Sequence, residues 1–403
     1  MSLSVAYLSQ GKLYFKPDNQ AVREIESEFG RSVQERRLQN ERRQALRDRS
    51  IRAMLQPPTG DRQNTHTEAA VPVHITSICR IEQDQLLYTL ESTELGGLFQ
   101  YNPTQQSERR LFHSTEFQIG FLDFSKKHQL MACTKNYPTG ISNLATLELN
   151  DHRPLDLTEG DSIDCAPHWS DRARKAIVYQ SAGVSRNSQG YVVNRAPFAI
   201  MELDFEQQDV RTLAEDPKSD LLGPQCSADG WLYYIRRPYK PLGGFSLTQL
   251  LKDLLLLPVR LLYAIFQFFN IFSQMTTGQP LINATTRQEV GRQPLRTLGG
   301  TFFPENLPKK HRGETDAPAL VPPSWQLVRQ GVEGVPEILA KSVLSYDLAE
   351  DGTIVYTNGS GVFAIRADGN GSLMTQKNHE RILVGRAIEG VTVLTSNTEN
   401  RSS

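Results

Sequence analysis

Cysteine is scarce in this sequence: four in 403 residues, at positions 79, 133, 165 and 226, all far apart. With no CxxC pair and no histidine at ligand spacing, neither a zinc site nor a disulfide framework is expected, and a reducing compartment suits them. An excess of either charge is also missing. Lys and Arg number 44 against 45 Asp and Glu, so no global field favours nucleic acid. HExxH, GxSxG and GxxxxGK[ST] are absent, and the eight histidines are scattered without paired spacing. No catalytic set, metal site or cofactor is therefore expected. The N-terminus, MSLSVAYLSQGKLYFKP, lacks a basic stretch followed by a continuous apolar run, so it reads as no signal peptide and the expected location is cytoplasmic. Long apolar runs are missing but for one.

What is present is repetition. From Asp161 to Pro217 the chain reads as four short strands: Ala166–Ser170, KAIVYQS, PFAIMELD and DVRTLA, with a polar turn region after the second. Similar units occupy Ile75–Phe112, Ile119–Gly160, Leu221–Pro241 and Leu344–Gln376, and Ser324–Ser342 resumes the pattern after a long break. A strand spacing of roughly 40–55 residues is that of radially repeated four-stranded blades. Strands left over at each end (SVAYLS, KLYFKP and AVREIES at the start, RILVGRA and GVTVLTS at the finish) are expected to share one sheet, Ser4–Ser27 with Arg381–Ser396. The expected fold is all-β: a six-bladed propeller over 1–403, closed by strands from both termini. It carries two insertions, a polar helix and linker at 28–70 and apolar amphipathic helices with a flexible return at 243–323. The first insertion is basic, with eight arginines against three acidic residues between Arg31 and Arg52.

Units of the form Pro-x-Trp-Ser, Asp-Gly and I-x-Y, followed by x-I-x-x-x-D and x-R-x-L, resemble the TolB-like six-bladed β-propeller family. Pro167, Trp169, Ser170, Val178, Tyr179, Ile200, Asp204, Arg211 and Leu213 carry the best match. Ser227, Asp229, Gly230 and Tyr233 echo it, as do Asp347, Asp351, Gly352, Tyr356 and Asp368. The resemblance implies the fold, with Trp169 wedged between neighbouring blades and Asp-Gly at tight hairpins needing positive φ. Asp123, Asp164 and Asp347 stand near blade starts, where they read as turn and hairpin polars before they read as channel-lining groups. His168 reads in the same way as structural.

The one apolar run is Phe245–Met275, with Leu254–Phe272 as its 19-residue core. Its Leu, Ile, Val and Phe residues favour membrane insertion, and Arg260, Pro258, Gln267 and Asn270 oppose it by a comparable sum. The strands before it (LYYIRR) and after it (WQLVRQ) are expected in one blade, so both ends emerge on one side and a single crossing is excluded. Two crossings hinged at Pro258 would give helices of about 20–23 Å, too short for a hydrocarbon core of about 30 Å. An in-plane or shallow re-entrant helix pair remains, and Leu250, Leu251, Leu254, Leu261, Leu262, Ile265, Phe268, Phe269 and Phe272 are its expected membrane- or partner-binding face. Folding back onto the propeller is the third reading. The function expected is a non-enzymatic protein-interaction platform on the inner face of the cytoplasmic membrane, its protein partner unknown and nucleic acid not among its partners. The alternative is a propeller hydrolase or lyase with its site at the channel mouth.

Overall fold

The computed structural model describes residues 2–55, 73–82, 85–92, 96–149, 153–170, 174–241, 297–298, 301–302, 318–331, 334–366, 379–385 and 387–397. The expected helical insertion of 243–323, with the site residues Leu250, Leu251, Leu254, Leu261, Leu262, Ile265, Phe268, Phe269 and Phe272, lies outside the described residues except for a few short pieces. All the described strands and the helix belong to one compact unit, Met1–Tyr239 with Thr297–Ser403.

The chain opens with β1 (Ser2–Ser9), β2 (Lys12–Lys16) and β3 (Arg23–Ile25), then helix α1 (Glu28–Leu55). Next come β4 (His74–Glu82), β5 (Gln85–Glu91), β6 (Gly96–Asn102) and β7 (Ser107–Ser114). These are followed by β8 (Gln118–Ser125), β9 (Leu130–Asn136), β10 (Ser142–Glu148) and the short β11 (Leu155–Asp156). The following unit holds β12 (Ser162–Ser170), β13 (Ala176–Arg186), β14 (Val192–Arg195), β15 (Ala199–Asp204) and β16 (Asp209–Ala214). Then come β17 (Ser219–Cys226), β18 (Leu232–Pro238) and a small hairpin, β19 (Thr297–Leu298) with β20 (Thr301–Phe302). The chain ends with β21 (Gln326–Gln330), β22 (Glu337–Lys341), β23 (Ser345–Leu348), β24 (Ile354–Thr357), β25 (Gly361–Ile365), β26 (Glu380–Val384) and β27 (Ile388–Asn397).

Four sheets are four-stranded, in the orders β27-β1-β2-β3, β4-β5-β6-β7, β17-β18-β21-β22 and β23-β24-β25-β26. A nine-stranded sheet joins the β8–β11 and β12–β16 units through a single parallel pairing, Ser142 with Ile163. The terminal sheet differs from expectation in one respect. Only β27 pairs with β1, while Arg381 pairs with Phe363, so the RILVG strand completes the preceding sheet. The chain turns between the two strands at Ala387, in the left-handed region at φ 49°. The polar turn region after KAIVYQS is also revised. β13 runs on to Arg186 and returns as β14 around Gly190, at φ 82°. As expected, β18 and β21 are neighbours, with Arg236 opposite Gln326, so the long insertion leaves and re-enters one hairpin.

The middle strands are apolar on both faces because each is covered twice. Leu86, Tyr88 and Leu90 of β5 join the core shared with Ala6, Leu13 and Phe99, whereas Leu87 joins the core of Leu98, Met131 and Cys133. Tyr233 and Ile235 of β18 pack with Leu327, Tyr356 and Phe363, and Leu232 and Tyr234 with Val178, Ile200 and Leu221. Val5 and Val393 share a core with Val355 and Val362. Each core thus lies between consecutive units. The first strands also pack in succession: β4 on β8, β8 on β12, β12 on β17, β17 on β23, β23 on β27, and β27 on β4.

Candidate functional site

The first strands carry a repeated distortion. Their ladders slip between Gly120 and Asp123, between Cys165 and His168, and between Leu222 and Gln225. The residue at each bulge is left-handed: Phe121 at φ 48°, Ala166 at 53° and Gly223 at 57°. Glycine takes that conformation freely, whereas Phe121 and Ala166 hold it against steric cost. Two residues beyond each bulge stands a polar side chain: Asp123, His168 or Gln225.

Polar side chains bridge from each unit to the next. The Trp169 amide donates to Asp123 Oδ2 at 2.6 Å, and His168 Nδ1 lies 3.2 Å from the same oxygen. Gln225 Oε1 accepts from the Leu348 amide at 3.0 Å, and its Nε2 donates to Asp347 Oδ1 at 3.4 Å. Asp347 Oδ2 in turn accepts from the Val393 amide at 2.8 Å and the Thr392 hydroxyl at 2.7 Å. Ser77 Oγ takes the Leu122 amide at 3.1 Å, and Gln180 Oε1, on β13 beside β12, takes the Gly223 amide at 2.7 Å. Arg80 links β4 to β27 through the Leu394 carbonyl at 3.3 Å and also holds Glu350 at 3.0 Å. Every succession of first strands is bridged in this way, β12 to β17 by way of β13.

Electrostatics separate the two carboxylates. Burial pushes the Asp123 carboxyl up, but the neighbouring His168 and the amides of Trp169 and Phe124 outweigh it and leave the group below the usual range. Burial also acts on Asp347. There the Val393 amide, the Thr392 hydroxyl and the more distant Arg80 and His168 do not compensate, so its carboxyl is raised. An Asp–His pair of this kind orients an imidazole and can move a proton at its ring. Among the described residues, no group of three or more His, Cys, Asp or Glu could hold a metal ion. The four cysteines are buried and form no disulfide, and burial pushes the thiols of Cys133 and Cys165 up to about 12.

The reading of Asp123, Asp164 and Asp347 as turn polars is corrected. All three lie within strands, and Asp164 accepts the Ser181 hydroxyl at 2.6 Å. His168 joins Asp123. Gln225, Arg80 and Thr392 were missed by the sequence reading. A usable signal was present in Asp123-Phe124-Ser125, His168-Trp169-Ser170, Gln225-Cys226-Ser227 and Asp347-Leu348-Ala349: a polar residue, an apolar one and a small one at the same place in four units. Trp169 is buried as expected, against Phe205 and His128.

A second polar centre stands at the root of the insertion. Arg195 grips Asp220 with two bonds, 2.7 and 2.9 Å, and Arg237 Nε adds a third at 3.1 Å. The Phe198 amide also donates to Asp220, at 3.1 Å. Burial raises the Asp220 carboxyl, but the paired guanidiniums pull it below the usual range, while burial lowers Arg237. Arg237 lies over the Trp325 ring and Arg195 over Tyr239, whose hydroxyl donates to the Arg195 carbonyl. The centre clamps the two stems, β18 with Tyr239 on one side and Trp325 before β21 on the other.

No protein-family model matches the chain, and no curated protein matches its sequence. Solved structures do. TolB from Acinetobacter baumannii superposes with a TM-score of 0.50 at 11% identity, over 98% of this chain and 67% of that one. A structure described as putative TolB from Agrobacterium tumefaciens gives 0.42 at 14%, over 81% and 90%. A chain of a nidogen/laminin complex gives 0.49 at 7%, over 98% and 99%. At such identities the likeness concerns fold alone: this chain resembles the TolB-like β-propellers.

Proposed function

We propose that this chain is a six-bladed ring closed by β1 on β27, working as a non-enzymatic protein-interaction platform attached peripherally to the cytoplasmic face of a membrane. The observation that carries the attachment is the β18–β21 pairing, with Arg236 opposite Gln326. Both stems of the insertion sit side by side in one hairpin, so the apolar run between them must go out and come back. A run too short to cross twice then serves as an in-plane anchor, with Leu250, Leu251, Leu254, Leu261, Leu262, Ile265, Phe268, Phe269 and Phe272 against lipid. Burial of each Leu or Phe is worth about 1.5–3 kcal/mol, so partial burial of several suffices for adsorption. The buried Arg195–Asp220–Arg237 clamp supports this by giving the anchor a rigid root. No cofactor and no nucleic acid enter this reading.

The test is flotation of the intact chain with anionic liposomes against a form whose Phe245–Met275 is replaced by a Gly/Ser linker. Loss of flotation supports the anchor. If both forms float equally poorly, and the intact form is an oligomer that the replacement makes monomeric, the segment serves a protein partner instead.

One observation favours a second reading, a hydrolase or lyase: the Asp123–His168 pair, with the raised Asp347 carboxyl within reach of the His168 charge. Turnover in an esterase, lactonase and glycosidase screen that is abolished by Asp123→Asn would establish it over the platform.

A further inference from the structure

The chain is balanced overall at −1, but α1 is not. From Glu28 to Leu55 it holds eight arginines, no lysine and four acidic residues, a surplus of four positive charges. Its first turn is firmly seated. The Ser27 hydroxyl accepts the Gly30 amide at 3.0 Å, and Glu108 of β7 accepts the amides of Glu28 and Phe29 at 3.0 and 3.2 Å, which satisfies three donors that a helix start leaves open. Phe29 packs on Phe99. Beyond Val33 the described side chains turn outward: Gln34, Arg36, Leu38, Asn40, Arg42, Arg43, Leu46 and Arg47 are all exposed.

Among the described side chains of α1, the exposed arginines fall on one side. At about 100° per residue, Arg31 and Arg42 fall within about 20° of each other, and Arg36, Arg43 and Arg47 within about 40°. The two rows flank an arc of about 160° that runs about 24 Å from Arg31 to Arg47. Leu46, 63% exposed, lies between the rows. Glu35 shares the arc and Arg31 lies 3.8 Å from Glu26, so the face is a net rather than a pure cation. Gln34 and Asn40 lie outside the arc.

We infer that this face of α1 lies on an anionic phospholipid surface. The guanidiniums flanking the arc pair with headgroup phosphates, which their planar fork suits, and Leu46 reaches the acyl boundary between them. A groove lined by nucleic-acid phosphates would meet the same arginines but offers no acyl region for the exposed Leu46 to enter, which favours lipid. The inference rests on the membrane attachment proposed above but uses other residues, so the two can fail separately.

The experiment uses the full chain and the form with Phe245–Met275 replaced, each with phosphatidylcholine vesicles with and without phosphatidylglycerol, across a salt series. The replaced form is expected to bind only the phosphatidylglycerol vesicles and to be released by salt. The triple change Arg36→Gln, Arg43→Gln and Arg47→Gln should weaken that binding by about fivefold per arginine, and the corresponding Lys variants should recover most of it. Unchanged circular dichroism will show that α1 persists. Binding by the intact chain that resists salt reports the insertion alone. The inference is overturned if the replaced form ignores phosphatidylglycerol, if the Gln variant binds as well as its parent, or if a nucleic-acid duplex displaces the vesicles at equal phosphate concentration.

Discussion

Asp123 and Asp347 do the same structural work, each accepting the backbone of the next first strand, yet their carboxyls move in opposite directions. The lowered Asp123 contributes stability that is present above its unfolded value of about 3.9 and lost as pH falls through its folded value. The raised Asp347 contributes stability that is present below about 3.9 and lost as pH rises through its folded value. Asn at either position removes the titration. In a urea series from about pH 3 to about pH 7, the deficit of Asp123→Asn should grow with pH and that of Asp347→Asn should shrink. Parallel trends would refute the assignment. Asp220 belongs to the same scale. Asp220→Ala leaves two buried guanidiniums facing each other and should cost about 3–5 kcal/mol in urea unfolding. Adding Arg195→Met should recover part of that loss, and a double variant worse than the sum of its parts would argue against a shared charge centre.

Elements here are decided by what covers them. The β5 run Leu86-Leu87-Tyr88 is apolar at successive positions because its two faces enter different cores, whereas α1 is polar over most of its length and its described side chains beyond Val33 are exposed. Glu108 ties that turn down, and its second oxygen also accepts the Tyr88 hydroxyl at 2.7 Å. Glu108→Ala should therefore fray the start of α1 by about 1 kcal/mol. Hydrogen exchange at the Glu28 and Phe29 amides reads this directly, and their protection should fall while that of β5 and β6 stays. Equal loss across β5 and β6 would mean that Glu108 supports the sheet and not the helix.

For the whole molecule, the telling contact is β1 between β2 and β27. Its two faces reach different cores: Leu3, Val5 and Tyr7 pack with Val355, and Ala6 and Leu8 with Tyr88. A chain ending at Gly385 would lose β27, strip β1 of one ladder and open both cores. It is expected to lose its single cooperative unfolding transition, whereas removal of only the last six residues should leave the transition unchanged. A cooperative transition in the chain ending at Gly385 would sink the closed ring proposed here.

Much of this architecture was legible in advance, because repetition of strand length and turn chemistry is a local property of the chain. Asp229-Gly230 and Asp351-Gly352 announce tight hairpins, and Gly230 and Gly352 do take the positive φ that was expected of them. The likeness of one unit to the next likewise needs no coordinates. What the sequence left open is which strand pairs with which, since Arg381–Val384 and Ile388–Asn397 are equally good strands. Only the turn at Ala387 and the competition for the edges of β25 and β1 send the first to one sheet and the second to the other. Polar residues such as Asp123, Gln225 and Asp347 look the same in a hairpin and in a strand. Their partners lie tens of residues away on the next first strand, so the bridges, and the opposite pKa shifts they cause, exist only once the units are set side by side.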